Sequence, residues 1–260
     1  MSSLLTNSSA MTALQTLTAV NKSLAATQNR ISTGQRVSTA SDNAAYWSIA
    51  GGMRAQNGAL SAVQDALGLG AAVLDTASSA LEEAISKTEQ ILAKYVARET
   101  PGTDTAAIDA EITQLSAQIV SIAQNSTFQG INMLQTGGTD ADIVIGYSST
   151  TGVAQMTVAA YDLEAEIGAV TDAATTETAL TAMRAAAATI GAAKSRVDSQ
   201  KAFTSKLMDS IDRGIGQLVD ADMEAESARL SALQVQQQLG IQALSIANGN
   251  AQNILSLFRQ

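Results

Sequence analysis

Leucines stand at every seventh position in Leu60, Leu67, Leu74 and Leu81, and Tyr95 continues the same column. Val63, Ala77, Ala84 and Ile91 form a second column three residues on. An α-helix turns once every 3.6 residues, so two such columns make one apolar seam that another helix must cover along its length. The pattern opens near Ala44, where Ser41, Asp42 or Asn43 can cap it, and runs to Arg98. A helix of that span is roughly 80 Å long at 1.5 Å rise per residue. Thr100-Pro101-Gly102 then breaks it, and Pro101 is the chain's one proline. With aromatic residues at 3% there is little bulk to fill a wide core. Ala and Leu suit helices packed closely side by side.

The same period recurs on both sides. Leu17, Leu24 and Ile31 repeat at seven near the start, beside Leu14 and Val20, and Gly34 is a suitable stop. Residues 34–43 read as an ordered connector rich in turn formers. Beyond Pro101, Ile108, Ile112, Leu115, Ile119 and Ile122 step by four and three. From Glu177 to about Leu218, Met183, Ile190, Val197, Ile211 and Leu218 share a column interrupted at Thr204. The last segment begins near Asp220. Its columns are Met223, Leu230, Leu244, Phe258 and Leu233, Ala247, Ile254, with Gln237 and Gly240 interrupting the seam. Only Thr127–Asp162 departs from helical spacing. There, Asp142–Tyr147 and Val153–Val158 are β-prone runs around a polar turn, which predicts a hairpin that must pack on helices to be stable.

The fold class expected is therefore mainly α: a long antiparallel helical bundle or coiled coil with a small β-hairpin and paired terminal helices. Residues 1–43 and 220–260 make the two halves of an inner helical domain, and 44–219 a helical body with the hairpin near 142–158. The terminal seams contain Ser, Thr, Gln, Asn and Gly. At about 25 cal/mol per Å², their burial barely offsets the roughly 1–2 kcal/mol of backbone entropy lost per ordered residue. Such helices are expected to order fully only when neighbouring copies cover them.

The composition removes several functions. The 24 acidic residues against 15 basic ones give a net charge of −9 with no Lys/Arg cluster, which disfavours nucleic acid and anionic membranes. The chain has no cysteine and no histidine, so thiolate chemistry and the commonest general base and metal ligand are missing. No catalytic, metal or cofactor site is predicted. No apolar run reaches the ~18 residues of a membrane span, and no basic-then-apolar signal peptide opens the chain. The acidic run Asp220, Asp222, Glu224 and Glu226 lacks the spacing of a Ca²⁺ loop. It reads as solvated connector charge or as partners for Arg30 and Arg36.

Four motifs, in order, carry a family resemblance. Asn29-Arg30-Ile31-Ser32-Thr33-Gly34-Gln35-Arg36-Val37, continued by Ala40-Ser41-Asp42-Asn43-Ala44-Ala45, resembles the N-terminal signature of bacterial flagellins. Thr127–Leu134 is similar to the stretch closing the family's second body helix. Asp220-Ala-Asp-Met-Glu-Ala-Glu226 sits where the family has its acidic connector. Leu244–Asn248 and Gln252–Arg259 resemble its closing signature. The resemblance implies a short flagellin without large outer domains. Such a subunit polymerises into the extracellular filament for swimming motility after export through the flagellar type III apparatus. Its partners would be other flagellin copies, hook-associated and cap proteins, and the export apparatus or a chaperone. A hook–filament junction protein is the alternative. Leu14, Leu17, Leu24 and Ile31 would meet Leu230, Leu233, Leu244, Ile254 and Leu257 in self-assembly. Arg30, Gly34, Arg36, Asp42, Asn43, Asp220 and Asp222 would form the connector motif. Tyr46-Trp47 departs from the family's small residues, and Trp47 is expected to pack in a body-helix contact. The segment Thr88–Lys94 lacks the arginines of the family's innate-receptor epitope, which implies weak recognition.

Overall fold

The computed structural model describes residues 7–148 and 150–257, with 250–257 described as backbone helix alone. The order of elements is α1 (Ser8–Thr33), α2 (Ala44–Arg98), α3 (Thr105–Asn125), β1 (Thr127–Phe128), β2 (Ile131–Asn132), β3 (Ala141–Ser148), β4 (Gly152–Val158), α4 (Leu163–Gly168), α5 (Ala173–Val219) and α6 (Met223–Leu257). The chain is mainly helical, with two small antiparallel hairpins. It divides into two compact units: unit 1 holds residues 1–54 and 212–260, and unit 2 holds 55–211. The divisions fall inside α2 and α5, not at the connectors.

Unit 2 contains the core. Both predicted columns of α2 are enclosed: Leu67, Leu74, Leu81, Ala84 and Ile91 are wholly buried, and Leu60, Val63, Ala77 and Tyr95 nearly so. Thr88 occupies the one polar layer of the leucine column. Its hydroxyl donates to the Ala84 carbonyl at 2.8 Å and lies 3.6 Å from Met183 Sδ, so the buried polar atom is satisfied. Ile112 and Ile119 of α3 and Met183, Ile190 and Val197 of α5 complete this cluster. Outside it, ion pairs bridge the helices: Arg98 with Asp109 at 3.2 Å, Arg184 with Glu89 at 2.9 Å, and Lys94 with Glu111.

The predicted hairpin is β3–β4. Ile143 pairs with Met156 and Ala141 with Val158, and these residues turn their side chains into the core. A bulge between Val144 and Gly146 shifts the register beyond them. Gly70 of α2 makes the contact possible: a Cβ there would lie 2.5 Å from Ile143 Cγ2. Two elements escaped the sequence reading. One is the short α4, capped by Asp162, whose carboxylate accepts from the Ala165 amide at 2.9 Å. The other is the β1–β2 hairpin, turned by Gln129 (φ 53°) and Gly130 (φ 81°) in the left-handed region. Asn132 anchors that turn. Its amide donates to the Ala123 carbonyl at 2.8 Å, and its Oδ1 accepts from the Leu134 amide at 2.8 Å.

In unit 1, α1 and α6 pair antiparallel. Asn43 caps α2, accepting from the Tyr46 amide at 3.2 Å. Trp47 does not take the buried place expected of it. It is 46% exposed, beside the exposed Tyr46 and Ile49, while Ala50 is buried there.

Candidate self-assembly site

The α1–α6 pair is built from two heptad series. On α1 the inward residues are Ala10, Ala13, Leu17, Val20, Leu24, Thr27 and Ile31; on α6 they are Glu226, Leu230, Leu233, Gln237, Gly240, Leu244 and Ala247. Leu17, Leu24, Ile31, Leu230, Leu233 and Leu244 are half-buried on this seam, where the sequence pattern puts them. Leu14 is off it and 55% exposed. The side chains of Ile254 and Leu257 lie outside the described residues. Gln237 and Gly240, read from sequence as interruptions, belong to the seam. Gln237 Nε2 donates to Asn21 Oδ1 at 2.8 Å, and a Cβ on Gly240 would lie 2.9 Å from Leu17 Cδ1. Toward the far end, Asn7 Nδ2 donates to the Ala247 carbonyl at 3.0 Å.

The connector residues clasp the two chain segments. Gly34 ends α1 in the left-handed conformation at φ 69°, and its carbonyl accepts from the Ala221 amide at 2.9 Å. Gln35 and Asp220 form an antiparallel bridge. The Arg36 amide donates to the Val219 carbonyl at 2.6 Å, and the Arg36 guanidinium to the Leu218 carbonyl at 3.1 Å. Arg36 therefore engages backbone and not the acidic run. Arg30 does reach that run, donating to Glu226 Oε1 at 3.1 Å. Asp222 caps α6, accepting from the Glu224 and Ala225 amides at 3.0 and 3.1 Å. Asp42 holds the N-terminal connector by accepting from the Ser38 and Thr39 amides at 3.1 and 2.9 Å. Those bonds, the Thr39 amide foremost, hold its carboxyl below the usual carboxylate range. The acids are thus capping and pairing groups. Among the described residues no cluster of His, Cys, Asp or Glu could hold a metal ion.

Sequence reasoning missed a second apolar set. Met11 and Leu14 on α1, and Val235, Leu239, Ile241 and Ile246 on α6, are each more than half exposed. Spacings of three, four and seven were present in it, but rotated off the seam, so a search for one stripe passes over it. These residues lie in stretches with no charge at all: residues 1–21 and 230–258 contain no Asp, Glu, Lys or Arg. Uncharged, exposed apolar residues on both members of a helix pair mark a surface made to be covered.

Comparison with known proteins agrees with the motifs. Residues 4–139 match the bacterial flagellin N-terminal helical region, and residues 173–258 match the bacterial flagellin C-terminal helical region. A flagellin of Brucella melitensis biotype 1 is 52% identical over 281 aligned positions, covering 100% of both chains. Flagellin C of Rhizobium meliloti strain 1021 is 41% identical over 321 positions, and Flagellin A of Rhizobium meliloti 40% over 395, again covering 100% of both chains. These alignments are longer than the 260 residues of this chain, so those relatives carry segments it does not have. Paired terminal helices, clasped connectors and both family regions in order have one reading: the chain belongs to the bacterial flagellin family.

Proposed function

We propose that this flagellin, a structural subunit of a flagellar filament, polymerises through the outward apolar face of its α1–α6 pair. The observation that carries the reading is that Met11, Leu14, Val235, Leu239, Ile241 and Ile246 are all exposed, in stretches of α1 and α6 without charge. Leu17, Leu24, Ile31, Leu230, Leu233 and Leu244 contribute by holding the two helices together beneath it. Ile254 and Leu257 extend the same helix toward the C-terminal end. A face on one copy meeting a different face on the next propagates into an open helix when the rotation does not close a ring. Unit 2 gives each subunit its folded body, and the extracellular filament serves swimming motility without catalysis. Export by the flagellar apparatus, with a chaperone, and contacts with hook-associated and cap proteins complete the assembly route. Nothing in the family match favours a hook–filament junction protein. The altered Thr88–Lys94 segment makes the chain a weak agonist of the vertebrate flagellin receptor, measurable in a reporter-cell assay.

The test is electron microscopy of purified protein seeded with short filament fragments. Wild type elongates the seeds into tubes. Leu239→Asp on the outward face, Leu244→Asp on the seam, and deletion of residues 250–260 each abolish elongation while unit 2 stays folded by circular dichroism. Normal tubes from Leu239→Asp would sink the proposed face, and binding confined to filament ends would favour the junction protein.

A further inference from the structure

We infer that Glu226 and Arg30 set the register of α1 against α6, and so position the composite face through which copies join. The inference rests on the polymerisation reading above.

Glu226 is the one charged residue that is buried among the described residues; its side chain is 10% exposed. Its Oε1 accepts from Arg30 across the pair at 3.1 Å and lies 3.5 Å from Arg229 one turn along α6. Its Oε2 is buried with no hydrogen-bond partner among the described residues. A buried carboxylate with one oxygen unsatisfied is a poor way to stabilise two helices, and an apolar residue would serve better. Its best-attested use is to make every other alignment worse.

The remaining seam needs such a device. Ala10, Leu17, Leu24 and Ile31 repeat at seven, and Leu230 and Leu244 stand two heptads apart with Gln237 between them, so a slip of one heptad again sets mostly small and aliphatic residues against each other. The same slip puts Ser23 or Val37 opposite Glu226 in place of Arg30. The next cation along α1 is Lys22, and before it α1 has no charge to offer. A slip of one heptad therefore leaves the buried carboxylate with only Arg229, on its own helix, as a cationic partner. Leu17 against Gly240 and Asn21 with Gln237 add to the preference, but a leucine side chain can turn and an exposed amide pair can hydrate.

Register matters because both helices display exposed apolar residues to neighbouring copies. Met11 and Leu14 come from α1, and Val235, Leu239, Ile241 and Ile246 from α6. A slip of one heptad moves one half of the face about 10 Å past the other. Copies in mixed registers cannot present one repeating surface. Arg30 and Glu226 are positioning residues for assembly.

The chain has no cysteine, so Gln28→Cys and Ala232→Cys place two spin labels on exposed sites of α1 and α6 without competition. Labelled protein, diluted in unlabelled wild type, is grown from seeds and the label separation is read by double electron–electron resonance. Wild type gives one narrow distance. Glu226→Leu and Arg30→Glu, which leave unit 2's melting unchanged, give distances broadened or displaced by about 10 Å, or are shut out of the tubes, with elongation at least about tenfold slower. The swap Arg30→Glu with Glu226→Arg restores the narrow distance and entry into tubes. A wild-type distance and elongation rate for Glu226→Leu would overturn the inference, as would a swap no better than Arg30→Glu alone. Failure of unmodified protein to elongate seeds would instead count against the polymerisation reading.

Discussion

In unit 2 the columns of α2 put Leu67, Leu74, Leu81 and Ile91 out of solvent altogether, whereas among the described residues of α1 and α6 the buried ones are Thr27 and Glu226. Both pairings use heptads and both are helical, so period alone does not separate them. What differs is the material at the inward positions and where the charge lies. Unit 2 carries eight Lys and Arg against eighteen Asp and Glu, while unit 1 carries seven against six, with none in residues 1–21 or 230–258. A large aliphatic layer excludes water and stabilises the subunit by itself. The α1–α6 seam, where Ala, Thr, Gln and Gly alternate with half-buried Leu, Val and Ile, excludes it less completely, and further apolar side chains of unit 1 (Met11, Leu14, Val235, Leu239, Ile241 and Ile246) are exposed. One unit is completed by folding and the other by association.

The largest effect that can break this comparison is a cavity. Leu74→Ala removes a wholly buried side chain and should cost about 2–5 kcal/mol, lowering the thermal midpoint of unit 2 by roughly 5–15 °C. Leu17→Ala on the half-buried α1 seam should leave that midpoint within about 1 °C while slowing seeded growth. Equal losses of midpoint would mean that unit 1 contributes to the stability of the soluble subunit as unit 2 does.

Glycines sharpen it next. Gly70→Ala drives a methyl against Ile143, a β-branched residue fixed in a strand, and should destabilise unit 2 by about 1–3 kcal/mol despite the better helix former. Gly240→Ala meets only the end of Leu17, which can rotate, and gains about 1 kcal/mol of helix propensity. Its effect on chemical denaturation should be near zero, and a loss as large as that of Gly70→Ala would show the α1–α6 seam to be as rigid as the core.

The smallest effects are electrostatic. Asp42 in unit 1 and Asp172 in unit 2 are both held below the usual carboxylate range, chiefly by hydrogen bonds from the Thr39 and Thr175 amides respectively. The sign follows from the lowered folded value. Their stabilisation is complete above the unfolded value and is lost as pH falls through the lower folded value. No change is expected between pH 7 and 5 from either. Carboxylate titration by NMR should place both below an unstructured aspartate, and a value at or above that for Asp42 would mean that the connector is not clasped in solution. At the other extreme burial pushes Tyr161 up to about 12, so its phenol should ionise last in an absorbance titration.

The sequence made some elements plain for reasons these comparisons bring out. Ala44–Arg98 could be bounded at both ends because it begins at a capping Asn43, ends before Thr100-Pro101-Gly102 and holds a column interrupted only at Thr88 from Leu60 to Tyr95. Gly34 marked the end of α1 because a left-handed residue is what a helix terminus needs. The short α4 was not legible, since Leu163–Gly168 is too brief to establish a period. Trp47 misled because size suggests burial, although nothing local fixes which way a residue on the first turn of a long helix faces. Gln237 and Gly240 misled more instructively. Polarity and absence of a side chain look like defects in a seam until the partner positions, Asn21 and Leu17, are known. Leu14 shows the reverse, an apolar residue beside a column that belongs to another face.

The threonines of α1 carry a consequence for how this surface meets water. Thr12, Thr16 and Thr18 each donate their hydroxyl to the carbonyl four residues back, at 3.0, 3.0 and 2.8 Å. A hydroxyl turned onto its own backbone leaves the γ-methyl as the group that faces outward. Residues that hydropathy scales count as wettable thus behave as short aliphatics beside Met11 and Leu14. The helix keeps the composition of a soluble chain while presenting an oily skin, and the distinction is drawn by three torsion angles.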